Sequence, residues 1–162
     1  MDRNEILNNL VSSYQSYATA DARGSIEKVL KYSGRDDEIV RRADVKREAA
    51  VFRYLTGIPV FQINAQKPLE LEQDLEVMIF VEQGDSHSIK SSRYERLFDI
   101  GDQLIDWSTN TEASNVNSDL YTLSLTGVGS TQEREGFLSM TLNFQIIIKN
   151  LIRSHIAWGS LG

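Results

Sequence analysis

At 162 residues, with 41% hydrophobic and 25% charged content, the chain is long enough to build one domain with its own core and no covalent staple. It contains no Cys, which excludes a disulfide framework and any thiolate metal site. A formal net charge of −6 argues against a protein whose main task is to grip nucleic acid, because that affinity rests on Lys and Arg neutralising phosphates; an acidic wall lets a duplex slide past instead.

The opening MDRNEILNNL is too polar for a signal peptide, and no run approaches the roughly 20 apolar residues of a membrane span. The expectation is a soluble chain made in a reducing cytoplasm, with no membrane partner. From Arg3 to about Tyr17, Ile6, Leu7, Leu10, Val11 and Tyr14 recur at helical spacing, with Asp2 placed to cap the helix. A polar break at Ala20 to Gly24 follows. Ile26 to Tyr32 fits two patterns: a strand with Ile26, Lys28, Leu30 and Tyr32 on one face, or a short helix capped by Ser25. The turn chemistry of Ser33-Gly34-Arg35-Asp36 favours the strand, with a hairpin after it. Asp36 to Lys46 is charged and mixed in sign, an exposed loop or a solvated helix face.

Arg47 to Leu55 alternates as a strand, with Gly57 and Pro59 marking its end and Val60 to Ile63 as a continuation beyond a bulge. Leu69 to Glu82 is a second, longer strand. Leu69, Leu71, Leu75, Val77, Ile79 and Val81 point one way, and Glu70, Glu72, Asp74, Glu76, Met78 and Phe80 the other, so one face changes from acidic to apolar along its length. Gly84 to Ser92 reads as a loop, with Ser91 or Ser92 capping a helix from Arg93 to about Ser108 whose buried stripe is Tyr94, Leu97, Phe98, Leu104 and Ile105. Trp107 and Ile100 fall off that stripe and hint at a second buried surface. After a polar loop over Asn110 to Asp119, Leu120 to Thr126 and Phe137 to Lys149 form a hairpin joined by the long, charged segment Gly127 to Gly136. The last of these strands alternates longest of all. The order of elements predicts an α+β fold: a mainly antiparallel sheet with an N-terminal helix and one central helix packed on it. Residues 1–150 are expected to form a single domain, with the apolar-rich 151–162 as a C-terminal extension or arm.

No convergent catalytic set emerges. Glu70, Glu72, Asp74 and Glu76 line one side of a strand, but a straight strand spreads carboxylates that a metal site must converge. Cationic partners suit them better, from Arg47 and Arg53 on the preceding strand or from a neighbouring subunit. Gly127-Val128-Gly129-Ser130-Thr131 lacks the lysine and the following helix of a phosphate loop and reads as a hairpin tip. His87 and His155 have no zinc-ligand spacing, and no GxSxG occurs. Asp99, Asp102 and Asp106 suit a solvated helix face. No cofactor, metal site or catalytic residue is expected.

With its elements in this order, the chain resembles the tail terminator (tail completion, minor tail protein U-like) proteins of long-tailed bacteriophages over roughly Asn4 to Asn150. The resemblance is carried by the opening helix, the strand and turn Leu30-Lys31-Tyr32-Ser33-Gly34-Arg35, and the strand ending Val51-Phe52-Arg53-Tyr54-Leu55-Thr56-Gly57. The acidic-then-apolar strand Leu71 to Phe80, the helix, and the closing hairpin with its Glu133-Arg134-Glu135 tip complete it. The resemblance implies a small α+β subunit of the virion, assembled in the host cytoplasm. It would close into a hexameric ring on the head-proximal end of the tail tube, halt tube polymerisation and meet the head connector, with DNA passing through the lumen without sequence-specific binding. It implies no catalytic residues. The ring interface or lumen would then draw on Arg53, Glu70, Glu72, Asp74, Glu76, Glu133, Arg134 and Glu135, with Trp107 and the apolar excess at Met78 and Phe80 packing between subunits. Two alternatives stand beside this: another head-tail connector or neck ring protein of a phage or phage-like contractile particle, and a metal-dependent enzyme or ligand-binding domain using the Glu70 to Glu76 carboxylates.

Overall fold

The computed structural model describes residues 3–31, 47–60, 70–84, 86–109, 121–134 and 136–148. Among these residues, two helices and six strands follow in the order α1 (Arg3–Ala20), β1 (Lys28–Lys31), β2 (Glu48–Val60), β3 (Glu70–Glu82), α2 (His87–Thr109), β4 (Tyr121–Val128), β5 (Gln132–Arg134) and β6 (Phe137–Ile148). The strands form one sheet in the order β1-β2-β3-β6-β4, with β5 also paired to β6. All pairings are antiparallel except β1 with β2. The fold is α+β, as the element order predicts. No described helix is long and apolar enough to cross a membrane.

Strict alternation on β3 and β6 divides the sheet into two faces. On one, Leu71, Leu75, Val77, Ile79 and Val81 of β3 meet Leu138, Met140, Leu142, Phe144, Ile146 and Ile148 of β6, and both helices pack there. α1 contributes Ile6, Leu7, Leu10, Tyr14 and Ala18; α2 contributes Leu97, Ile100, Leu104 and Trp107. Gly101 brings α2 close to the sheet, since a Cβ there would run into the end of Met140 and force that side chain to move. Ala49, Val51, Met78 and Phe80 form a smaller apolar cluster on the other face, at most 3% exposed within the single chain.

Several expectations are corrected. β1 does not form a hairpin with its successor but lies parallel to β2, with Lys28 opposite Ala49 and Lys31 opposite Phe52. The turn at Ser33 to Asp36 lies outside the described residues, as does the segment to Lys46. β2 runs on through Gly57 and Pro59 to Val60, and its irregularity falls earlier, between Tyr54 and Gly57. Proline is tolerated there because the described pairing with β1 stops at Phe52, so only one side of that stretch carries a ladder among the described residues.

α2 starts at His87, within the segment expected to be a loop. Ser86, rather than Ser91 or Ser92, caps it, its Oγ accepting the Ile89 N–H at 3.3 Å. The buried stripe is correspondingly rotated. Ile100 and Trp107, off the stripe expected from the sequence, are fully buried, whereas Phe98 is 48% exposed. Leu97, Ile100, Leu104 and Trp107 follow the 3-4-3 spacing of a single helical face better than the Tyr94-based set. Half of the Gly127 to Gly136 segment is strand rather than loop: β4 reaches Val128, Gly129 N–H donates to Thr141 O at 2.8 Å, and β5 pairs back onto Phe137 to Ser139. The turn is thereby reduced to the region of Gly136, whose φ of 84° suits a residue without a Cβ.

Trp107 stacks edge-on against Tyr14 and Phe52, with ring centroids 5.5 and 5.9 Å away, and its indole N–H donates to Ser13 Oγ at 3.1 Å. Trp107→Ala should therefore cost about 3 to 5 kcal/mol of unfolding free energy, measured by urea denaturation, against about 0.5 kcal/mol or less for the exposed Phe98→Ala. Equal losses would reject this assignment of the α2 faces.

Candidate functional site

The described helices both occupy one face of the sheet, and the candidate surface for a partner is the other. Along β3 this face carries Glu72, Asp74, Glu76, Met78 and Phe80, and along β6 it carries Ser139, Thr141, Asn143, Gln145 and Ile147. Polar side chains of β4 extend it, Ser124 lying opposite Gln145. The face is graded, acidic where β3 begins and apolar where β3 ends.

Of the residues expected to build an interface, Arg53 and Glu76 are brought together: they face each other across β2 and β3, with Nη2 and Oε2 2.8 Å apart and both side chains largely covered. This is the cross-strand pairing expected from their spacing. Among the described residues Arg47 makes no such ion pair; its backbone N–H donates to Glu27 Oε2 at 2.7 Å. Glu72 is half-buried and Asp74 exposed on the same face as Glu76, and among the described residues neither has an ion-pair partner. Glu70 begins β3, but its side chain lies outside the described residues, as do that of Arg134 and the whole of Glu135.

Trp107, Met78 and Phe80 are corrected. All three are buried by the chain itself, Trp107 completely, so the apolar excess read as subunit packing is internal. Glu133 lies opposite Leu138, on the helix side of the sheet. There it pairs with Lys90 Nζ at 2.5 Å and accepts from Tyr94 Oη and Gln83 Nε2, both at 3.3 Å. The Lys90 ammonium holds the Glu133 carboxyl below its ordinary range, and Glu133 in turn raises Lys90. The hairpin end is thus tied to the start of α2, on the face opposite Asp74.

Where the acidic half ends, the open face holds a pocket of about 180 Å³. Met78 and Phe80 form its apolar lining, Ser139 and Thr141 add hydroxyls, and Gly129, Ser130 and Gln132 complete the wall. It lies at the gap between β4 and β5, where the chain leaves β6 after Gly129 and rejoins it at Gln132. No group of His, Asp and Glu among the described residues is arranged to hold a metal ion.

Sequence reasoning missed a polar network on the helix side. Arg96 grips Glu48 with two hydrogen bonds, 2.9 and 2.8 Å, and donates to the carbonyls of Arg23 and Ser25. Gln103 accepts from the Tyr14 hydroxyl at 2.6 Å and donates to Gly24 O at 2.9 Å. Burial drives the Tyr14 hydroxyl far above its ordinary value, so it stays a proton donor. Arg23 bridges Asp21 and Asp106 at 2.8 Å each. Gln73, on the apolar side of β3, is fully buried and donates to the Leu55 and Asp74 carbonyls, spanning the β2 irregularity. Its one sequence signal is a lone amide between Leu71 and Leu75; the Arg96 and Gln103 links join residues more than 45 positions apart and leave none.

No protein-family model and no curated protein sequence matches the chain.

Hydrogen bonds from the Arg23 side chain and backbone hold the Asp21 carboxyl well below its ordinary 3.8. A depressed folded-state pKa stabilises fully above the unfolded value and loses that contribution as pH falls toward the folded one. Asp21→Asn should accordingly lower the urea midpoint at pH 7 and narrow the gap between the pH 7 and pH 3 midpoints. An unchanged gap would show that Asp21 contributes nothing to acid sensitivity.

Proposed function

We propose that this chain is a structural subunit of a bacteriophage virion that closes into a ring on the end of the tail tube, ends tube polymerisation and presents a surface to the head connector. It acts by assembly and not by catalysis. The observation that carries this reading is a sheet with strands of 12 and 13 residues, covered by the described helices on one face only. The other face is broad, polar and acidic at one end, and suits a neighbouring subunit or the wall of a channel through which DNA moves without sticking. The element order and the Tyr54-Leu55-Thr56-Gly57 segment support the tail terminator resemblance. A sixfold ring would be built from heterologous contacts, with the acidic strand face meeting a cationic surface on the next copy.

In this reading Glu72 and Asp74 serve assembly more than folding, since exposed strand charges contribute only about 0 to 1 kcal/mol to stability. The double reversal Glu72→Lys, Asp74→Lys should leave the thermal midpoint within a few degrees of the parent and abolish ring formation. Native mass and negative-stain imaging, with and without purified tail tubes, supply the readout. A parent chain that stays monomeric even on tubes would remove the ring reading. Rings that persist in the double variant would remove the role given to this face.

A further inference from the structure

The inner side of α2, with Leu97, Ile100, Leu104 and Trp107, fills the core, and the side carrying Arg96 and Gln103 is tied to the turn after α1 through the carbonyls of Arg23, Ser25 and Gly24. At about 100° per residue, Tyr94, Phe98 and Ile105 lie roughly 140 to 180° around the helix from Gln103. They therefore face away from α1, toward the β4 edge of the sheet, on which α2 also packs. β4 adds apolar groups to the same flank. Leu125 stands opposite Phe144 and Val128 opposite Leu142, so both point to the helix side.

Apolar surface stays exposed along this flank. Phe98 is 48% and Val128 53% exposed, with Tyr94, Ile105 and Leu125 half-buried beside them. The Tyr94 and Phe98 rings lie 6.3 Å apart. From Tyr94 to Ile105 the apolar row runs about 17 Å, roughly three helical turns. A second row accompanies it: Glu95, Asp99, Asp102 and Asp106 repeat at four-three-four spacing, and all four are exposed. Asp106 pairs with Arg23, but among the described residues Glu95, Asp99 and Asp102 have no ion pair.

An apolar row bordered by a charged row at this spacing is the surface one helix presents to another, and the charged row selects the sign of the partner. Here that sign is positive. A second copy's α2 does not suit the seam, because it would bring two acidic rows together. The outer side of α1, with Asn8, Ser12, Gln15, Ser16 and Thr19, offers no basic row either.

We propose that the flank of α2 formed by Tyr94, Phe98 and Ile105, together with Val128, docks a basic amphipathic helix of another protein. The apolar residues of that helix cover Phe98 and Val128, and its Lys or Arg residues meet Glu95, Asp99 and Asp102. This goes beyond the ring reading and does not rest on it, because the flank lies on the helix side of the sheet, opposite the face that carries Glu72 and Asp74.

The probe is a dye-labelled peptide of about 15 residues with Leu at four-three-four spacing, Lys on both sides of the Leu row, and Ala and Gln elsewhere. Its control has the same composition in scrambled order. Fluorescence anisotropy with the full chain, at low and high salt, should show the peptide binding roughly tenfold tighter than the control. Phe98→Ser should weaken it roughly tenfold, and Glu95→Lys, Asp102→Lys should weaken it and flatten its salt dependence. Glu72→Lys, Asp74→Lys makes the same change of net charge on the other face and should bind the peptide as the parent does. Thermal midpoints verify that each variant folds. Absence of binding, equal binding of peptide and control, no effect of Phe98→Ser, or equal weakening by the two charge reversals would overturn the proposal. Loss of the chain's own self-association in Phe98→Ser would overturn it in favour of a contact between copies.

Discussion

The ladder between β3 and β6 is the constraint on which the rest depends. Twelve successive pairs, from Leu71 opposite Ile148 to Glu82 opposite Phe137, place the Leu71 to Val81 stripe of β3 and the Leu138 to Ile148 stripe of β6 on the same side. A slip of one residue would turn the Leu, Met, Phe and Ile set of β6 away from the helices and bury Ser139, Thr141, Asn143 and Gln145 in its place. With the register fixed by that penalty, β2 adds to the free side of β3, β4 and β5 add to the free side of β6, and the buried face becomes a platform for α1 and α2. The Tyr14, Phe52 and Trp107 rings close the join between both helices and β2.

Charge is distributed between the faces by the same logic. On the helix side, the charged and amide groups that enter the protein find partners: Arg96 with Glu48, Arg23 with Asp21 and Asp106, Gln103 with Tyr14. These bonds lock the turn after α1 against α2 and the start of β2. Burying such groups unpaired would cost more than the pairs return, so their geometry works as a specification of how the elements dock. On the other face, among the described residues, Arg53 and Glu76 are drawn together next to the apolar cluster, while Glu72 is half-buried and Asp74 exposed. The acidic gradient survives folding as a surface property, which is the form in which it could act on a partner.

The candidate site was legible in the sequence to the extent that it follows from period two. Glu72, Asp74 and Glu76 share a face with Met78 and Phe80 because β3 is regular, and Arg53 meets Glu76 because β2 pairs with β3 over that stretch. Charge and proximity to a turn alone group Glu133 with these residues. β5 instead directs it to the helix side, where Lys90 and Tyr94 hold it. Trp107 lies off a stripe phased on Tyr94 and Phe98 but on the one phased on Leu97 and Ile100, and burial selects the second.

Taken alone, the amino-acid order determined the α+β class, both helices, the long strands and the two-faced character of the sheet, since each depends on periodicity within a few turns or residues. The tertiary structure decided what depends on distance: the parallel pairing of β1 with β2, the passage of β2 through Gly57 and Pro59, the return of β5 onto β6, and the pocket formed at that return. It also decided which polar residues are internal struts. Gln73, Arg96 and Gln103 look like ordinary surface residues until partners remote in the chain are folded against them, and no local pattern records such a pairing.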